Sequence, residues 1–401
     1  MDLPGENYQI WLEGIKRESY THSVLPKETD YVIVGGGISG ITAAYLLSKE
    51  SKNVVLCEKF KLGEWVTECT TGFLTQALDT DPIAMIKVWG EKKTQLILSS
   101  HGDAINRVEK IIKEEKIECD FVRCSNYIYA NNSGEEKNLI KIVEIFNKLG
   151  VKAEYKKDNK FKFTKFGYID LPNQAKFHVI KYLTALAKIA VERGAIIAEN
   201  TDVIKINNKK DRVLVVLKNG SEIKAKKVIS ATHVPFDRPK NLYSKMTMYR
   251  SYVLEYKIPS GYLSESTFED RLDPYHYFRI DKKDGFDSLV IGGEDTFEAT
   301  KSDHDISFNR IRNYTKKLFG SSEFSEIRYW SGVIQNSQDG IAFIGESKNT
   351  NIFYMFSYGG SGMTYSNIAG SILIDWINGK ENPYKDIYNV DRKISFWKTL
   401  F

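Results

Sequence analysis

Tyr31-Val32-Ile33-Val34-Gly35-Gly36-Gly37-Ile38-Ser39-Gly40 is a β-branched run that stops abruptly in glycine, and the acid Glu58 follows at the close of a second apolar run, Val54-Val55-Leu56. Gly35, Gly37 and Gly40 match the spacing G-x-G-x-x-G, and Ile38, Ile41, Ala44 and Tyr45 continue at helical spacing. Each glycine has a physical use. Gly35 permits the tight turn, Gly37 lets a pyrophosphate reach the backbone, and Gly40 lets the helix pack close on the strand. The unpaired N–H groups of the helix start, Ile38 and Ser39 among them, attract phosphate. Glu58 lies where the pattern places a ribose-binding acid, which suits a free 2′-hydroxyl, hence FAD or NAD.

Outward from this stretch, 401 residues allow two or three domains, and the composition nowhere reads as disordered. The net charge of +5 is dispersed, with lysine pairs such as Lys156-Lys157 and Lys226-Lys227 short and scattered, so a nucleic-acid stripe is not expected. The four cysteines, Cys57, Cys69, Cys119 and Cys124, show neither C-x-x-C nor a metal-ligand spacing with histidine. So few cysteines in so long a chain suggest a reducing compartment, read as cytoplasmic. No apolar run is long enough to span a membrane, and Met1-Asp2-Leu3-Pro4-Gly5-Glu6 does not read as a signal peptide.

Along the chain, residues 1–27 form an extension in which Trp11, Leu12 and Ile15 can dock on the body. Thr67 to Gly72 reads as a loop, Pro82 to Glu115 as a helical region, Lys160 to Ile169 as a strand and Gln174 to Arg193 as a helix. Asn219-Gly220 signals a hairpin. Strand-like runs fill Ser251–Tyr256, Tyr275–Ile280 and Ser288–Ile291. Ile352 to Ser357 is a strand, Gly359-Gly360-Ser361-Gly362 a tight turn, and Thr364 to Asn378 a helix. Strand, glycine turn and helix thus occur near both ends, as in a nucleotide domain interrupted by another domain.

Five blocks together carry a resemblance. They are Gly35–Gly40 with Glu58, the Gln174–Gly194 segment leading to Asn200-Thr201-Asp202-Val203, Val228–His233, Leu289–Glu294, and Gln338–Gly345 continuing to Tyr358–Thr364. In this order they resemble the D-amino-acid oxidase superfamily of FAD enzymes, most nearly a microbial subgroup whose oxidase-like part precedes a Rieske domain. Ending at Phe401 without a Cys-x-His pair, the chain is expected to lack that domain.

The resemblance implies an α/β fold with an α+β second domain: a Rossmann-like FAD domain (28–80, 170–240 and 331–401) with an inserted mixed or antiparallel-sheet substrate domain (81–169 and 241–330). It implies FAD held by Gly35, Gly37, Ile38, Ser39, Gly40, Glu58, Lys59, Thr70, Thr71, Val203, Ala231, Thr232, Gly340, Gly359, Gly360, Gly362, Met363 and Thr364. Glycines before the Thr364 helix let backbone N–H groups meet the charge that reduction places on the flavin. The activity implied is oxidation of a C–N bond in a small amine or amino acid, with hydride passing to flavin N5 and the imine hydrolysed. The alternative is a dehydrogenase subunit serving a separate protein acceptor. Cys69 stands where the subgroup often has histidine and offers a thiol for a covalent flavin link; the plainer reading is an unmodified buried thiol and non-covalent FAD. Arg250, Tyr277, Arg279 and Trp330 are candidates for the substrate cavity, an arginine being suited to a carboxylate; catalytic residues are otherwise unassigned. His276 is a weaker acid–base candidate, and His178 and His233 read as packing residues.

Overall fold

The computed structural model describes residues 9–394 except 23, 238–244, 298–303, 321 and 349. The opening hexapeptide and the last residues lie outside them.

Two sheets organise the chain. The first contains eight strands, six in the order Phe343–Glu346, Ile352–Phe356, Glu222–Ser230, Glu28–Val34, Val54–Cys57 and Ile196–Ala198. Its centre is parallel: Val32 and Val34 register with Val228 and Ser230 on one side and with Val55 and Cys57 on the other. A buried parallel strand needs apolar residues on both faces, and the β-branched run supplies them. Tyr31, Ile33, Val54 and Leu56 pack with helices Ile38–Lys49, Val179–Glu192 and Gly362–Ile377. Val32, Val34 and Val55 face the opposite way, onto Val203, Val213, Val215 and Leu217. The last three belong to the Val213–Leu217 strand, which pairs with Val203–Asn208 and with Glu222–Ala225. Gly220, at φ +85°, makes the expected turn, and Asn219 Oδ1 accepts from Ser221 N–H.

The second sheet runs Ser325–Ser337, Met246–Ile258, Asp287–Phe297, His276–Lys282, Thr267–Glu269, Val122–Tyr129, Tyr168–Lys176 and Phe73–Leu74, with Glu154–Lys156 attached to Tyr168–Lys176. Thr267–Glu269 pairs parallel with Val122–Tyr129, and every other pairing is antiparallel. One face, rich in Tyr127, Tyr252, Phe268 and Phe278, is covered by helix His304–Phe319. Two of its strands, Tyr168–Lys176 and Ser325–Ser337, run across the boundaries expected at 170 and 331.

Four local expectations are corrected. The helix expected from Gln174 begins at Val179, capped by His178 Nδ1 accepting from Lys181 N–H. Residues 174–176 instead extend a strand, because Gln174 is buried and its amide bridges Gln76 N–H and the Pro172 carbonyl. The strand accordingly starts at Tyr168, not at Lys160. The Pro82–Glu115 region is two helices, Pro82–Trp89 and Glu91–Glu115, broken at Gly90, whose φ of +76° no right-handed helix contains. Within the expected 67–72 loop, Val66–Cys69 forms one helical turn, closed by Glu68 accepting from Trp65 N–H at 3.4 Å.

Candidate cofactor and substrate site

At the end of Glu28–Val34 the chain turns on Gly35, at φ +107°, where an added Cβ would lie 2.7 Å from the Ala231 carbonyl oxygen. A Cβ at Gly40 would overlap the Gly35 carbonyl, so strand and helix touch here through bare backbone. Gly37 differs from both. It is the N-cap of Ile38–Lys49 with ordinary extended angles, and its Cβ position meets only Thr67 Oγ1, at 3.0 Å. That hydroxyl accepts from Ile38 N–H at 3.1 Å. Glu58 receives Gly36 N–H at 2.5 Å and Phe60 N–H at 2.8 Å, while burial pushes its carboxyl above the usual range. Bare backbone at a helix N-terminus with a carboxylate alongside fits a dinucleotide pyrophosphate and ribose. Lys59 and Val203 flank this acid: Lys59 Nζ is 3.8 Å from Asp202, and Thr201 N–H bonds the Glu58 carbonyl two residues before Val203. Ala231 N–H bonds the Val34 carbonyl, and a Thr232 methyl approaches Gly35.

The second glycine turn comes to the first. Ser39 Oγ donates to Tyr358 Oη at 3.1 Å, across 319 residues of sequence. Gly340 and Gly359 line one cavity together with Asp79, Asn336, Tyr358, Ser361 and Tyr365. Gly359 sits at φ +54°, and Gly360 N–H is met by Asp79 Oδ2 at 2.9 Å. Helix Gly362–Ile377 starts here with no side-chain cap, and the buried Thr364 hydroxyl has no partner. Gly359 N–H is taken by the Gln335 carbonyl and Gly360 N–H by Asp79, so what suits an anionic ring edge here is the uncapped helix N-terminus at Gly362. Gly340 is steadied from the far side by Arg392, whose guanidinium forms a two-pronged pair with buried Asp339 at 2.8 and 2.9 Å.

The segment that carries Thr70 and Thr71 is fixed from several directions. Trp11 Nε1 donates to the Thr70 carbonyl at 2.7 Å, Arg279 Nη1 to the Thr71 carbonyl at 2.7 Å, and Trp330 Nε1 to the Cys69 carbonyl at 2.9 Å. Arg17 bonds the Leu62 carbonyl and Glu68, while Glu199 ties Leu62 N–H to Tyr20 N–H. Arg279 and Trp330 therefore hold this loop; the remaining Arg279 donors turn to Asp281. Arg250 is buried, with Nη1 on Ser331 Oγ at 3.2 Å. Of the four cavity candidates Tyr277 alone is half-exposed, its hydroxyl on Ser251 and its ring against Phe73.

His276 lies on the sheet's other face, flat against Tyr314 and bonded to Asp270 and Glu294. His178 and His233 are held neutral by burial, each lowered to about 4. Thr67, Asp79 and Tyr358 are site residues that no sequence signal had separated from their neighbours.

The Cys69 thiol is pushed up to about 12, chiefly by burial, and its Sγ accepts from Gln9 Nε2 at 3.6 Å. A thiol kept protonated is a poor nucleophile. Acid precipitation is accordingly expected to leave all yellow colour in the supernatant, and Cys69→Ser to retain bound flavin; colour in the wild-type pellet that Cys69→Ser abolishes would contradict this.

Among the described residues no cluster of metal-binding side chains occurs, and no helix is long and apolar enough to cross a membrane. A family model described as FAD dependent oxidoreductase (DAO) matches residues 30–376. The chain is 29% identical over 368 residues to the putative Rieske 2Fe-2S iron-sulfur protein YhfW of Bacillus subtilis (strain 168), covering 91% of this chain and 72% of that protein. It is 26% identical over 220 residues to 4-methylaminobutanoate oxidase (formaldehyde-forming) of Paenarthrobacter nicotinovorans, 53% of this chain and 25% of that one. Glycine oxidase from Geobacillus kaustophilus shares the fold, with a TM-score of 0.76 at 18% identity over 92% of this chain and all of the other.

Proposed function

The chain belongs to the DAO family of FAD-dependent oxidoreductases, and from that membership we propose that it oxidises a C–N bond of a small amine or amino acid. The carrying observation is the meeting of the two glycine turns through Ser39 and Tyr358, with a concave polar wall beside the second. The first sheet, with those parts of 28–80, 170–240 and 331–394 that lie outside the second sheet's strands Phe73–Leu74, Tyr168–Lys176 and Ser325–Ser337, is the proposed FAD-binding part; the second encloses substrate.

FAD, when bound, supplies the acceptor for the substrate's hydride. The chain supplies the rest. Backbone N–H groups of Gly37 and Ser39, with that of Ile38 once it leaves the Thr67 hydroxyl, would hold the pyrophosphate, and Glu58 the ribose, with Lys59, Val203, Ala231 and Thr232 around them. Thr70, Thr71, Gly340 and the Gly359–Thr364 backbone line the ring. The second sheet orients the amine and excludes water. The substrate carbon loses a hydride and its nitrogen a proton; water then converts the imine to a carbonyl compound and releases the amine or ammonia.

A dehydrogenase passing electrons to a separate protein is the second reading, favoured by similarity to a protein named for a Rieske centre. The test is anaerobic mixing of yellow protein with amines and amino acids, followed by reoxidation. Bleaching supports C–N oxidation. Rapid peroxide formation in air favours the oxidase, and turnover only with an artificial acceptor favours the dehydrogenase. No bleaching by any amine or amino acid, with flavin that dithionite still reduces, rejects the reading.

A further inference from the structure

The wall beside Gly359 and Gly360 is unusually rich in carboxylates. Asp79 projects from the stretch before Pro82, Glu269 ends the Thr267–Glu269 strand, and Asp295 lies late in Asp287–Phe297. Glu269 registers with Tyr277, which stacks on Tyr275, the donor to Asp295, and Asp79 lies close enough to act on both Glu269 and Asp295. Asp79 is solvent-exposed and lines the cavity with Gly359, and the groups packed around it raise its carboxyl. Asp295 is pushed up to about 6, again chiefly by burial.

Two guanidiniums come to this part of the sheet, Arg271 and the buried Arg250, which registers with Thr296 beside Asp295. Arg271 has Nη2 on Glu269 at 3.3 Å and its field on Asp79, so its charge is already answered by the wall. Arg279, the obvious candidate to hold a substrate carboxylate, is fully engaged by Thr71, Gly72, Phe177 and Asp281.

Aromatic rings complete the surface. Tyr275 and Tyr277 stack with centroids 6.0 Å apart, and Phe73 meets Tyr277 edge-on at 5.8 Å. Tyr275 donates to Asp295 Oδ2 at 2.9 Å, while Asp295 Oδ1, shielded from solvent, has no partner. A further acceptor is buried without a partner: Gln335 Oε1, on a residue whose carbonyl receives Gly359 N–H. Carboxylates, aromatic faces and unmet acceptors together recognise an ammonium group.

We propose that the substrate carries a second positive charge: a diamine or polyamine without a carboxylate, whose remote ammonium seats between Asp79, Glu269 and Asp295 against Tyr275 and Tyr277. This rests on the C–N oxidation reading above and names its substrate class.

The test uses the full FAD-loaded chain under anaerobic conditions with putrescine, spermidine, γ-aminobutyrate and glycine. Putrescine and γ-aminobutyrate match in length and differ in whether the far end is ammonium or carboxylate. The expected result is flavin bleaching with putrescine or spermidine at a kcat/KM about 30-fold or more above γ-aminobutyrate. Asp295→Asn and Glu269→Gln should each raise the KM for the preferred amine about tenfold while kcat stays within about twofold and the flavin spectrum is retained. Asp295→Glu should recover most of the loss. Preference for γ-aminobutyrate or glycine, or variants that leave KM unmoved, would overturn the inference while C–N oxidation stands. Failure of all four compounds to bleach a dithionite-reducible flavin that another amine or amino acid does bleach would overturn the inference alone, and failure of every amine and amino acid would remove both.

Discussion

Gly37→Ala is expected to give a folded protein that has lost its flavin. The argument turns on the difference between the three motif glycines. Gly37 has φ −73° and ψ −175°, angles open to alanine, and a Cβ there meets only the Thr67 hydroxyl at 3.0 Å. The apoprotein should therefore keep its stability to within about 1 kcal/mol. The added methyl would, however, stand where the pyrophosphate must reach the Gly37 and Ile38 amides. Loss of about 3 kcal/mol of charge-assisted contacts corresponds to roughly 100-fold weaker FAD binding. Gly40→Ala should behave differently, failing to fold, because its methyl would overlap the Gly35 carbonyl within the protein itself. Urea midpoints and FAD titration of the two variants check this. Gly37→Ala binding FAD as tightly as wild type would place the cofactor elsewhere.

Asp281→Asn is expected to cost about 3–5 kcal/mol of stability. Burial would raise the Asp281 carboxyl, but Arg279 and Lys176 outweigh it and hold the group well below the usual carboxylate range. Lys176 Nζ lies 2.6 Å from Asp281 and 2.7 Å from Glu265, and Arg279 Nη2 lies 2.5 Å from Asp281. Both cations are almost wholly buried, so the amide would leave them short of countercharge. Because the folded pKa is depressed, the stabilisation is complete above the unfolded value of about 4 and disappears as pH falls through the lower folded value. Denaturant melts of wild type and variant should thus differ most above about pH 4 and converge in stronger acid. Arg279 also holds the Thr71 carbonyl, so flavin should dissociate faster from the variant. Equal stability at neutral pH would show that the cluster is not a structural keystone of the second sheet.

What could be read from residues alone followed the range of the forces involved. The Gly35–Gly40 turn is a local backbone requirement, and so is the Gly359–Gly362 turn; both are visible without knowledge of the fold. The buried strands announced themselves through β-branched runs. Residues 168–176 did not, because Gln174, which holds the Pro172 carbonyl, is itself fixed by the long-range partner Gln76. Gly90 parts the apolar residues up to Trp89 from the polar run Glu91–Gln95, but a lone glycine between two helical patterns does not by itself announce a positive φ. Arg279 looked like a substrate ligand because its partners, the carbonyls of Thr71, Gly72 and Phe177, are distant in sequence and carry no side-chain signature. Asp79 lies in an irregular stretch with no periodicity, so nothing short of the assembled fold brings it to Gly360.

The most direct measurement is the visible spectrum of the purified full-length protein while an amine is added without oxygen. The account predicts a flavin spectrum that bleaches with one equivalent of a diamine or polyamine and recovers when an electron acceptor is admitted. A bound flavin that no amine or amino acid bleaches, although dithionite reduces it, would contradict it.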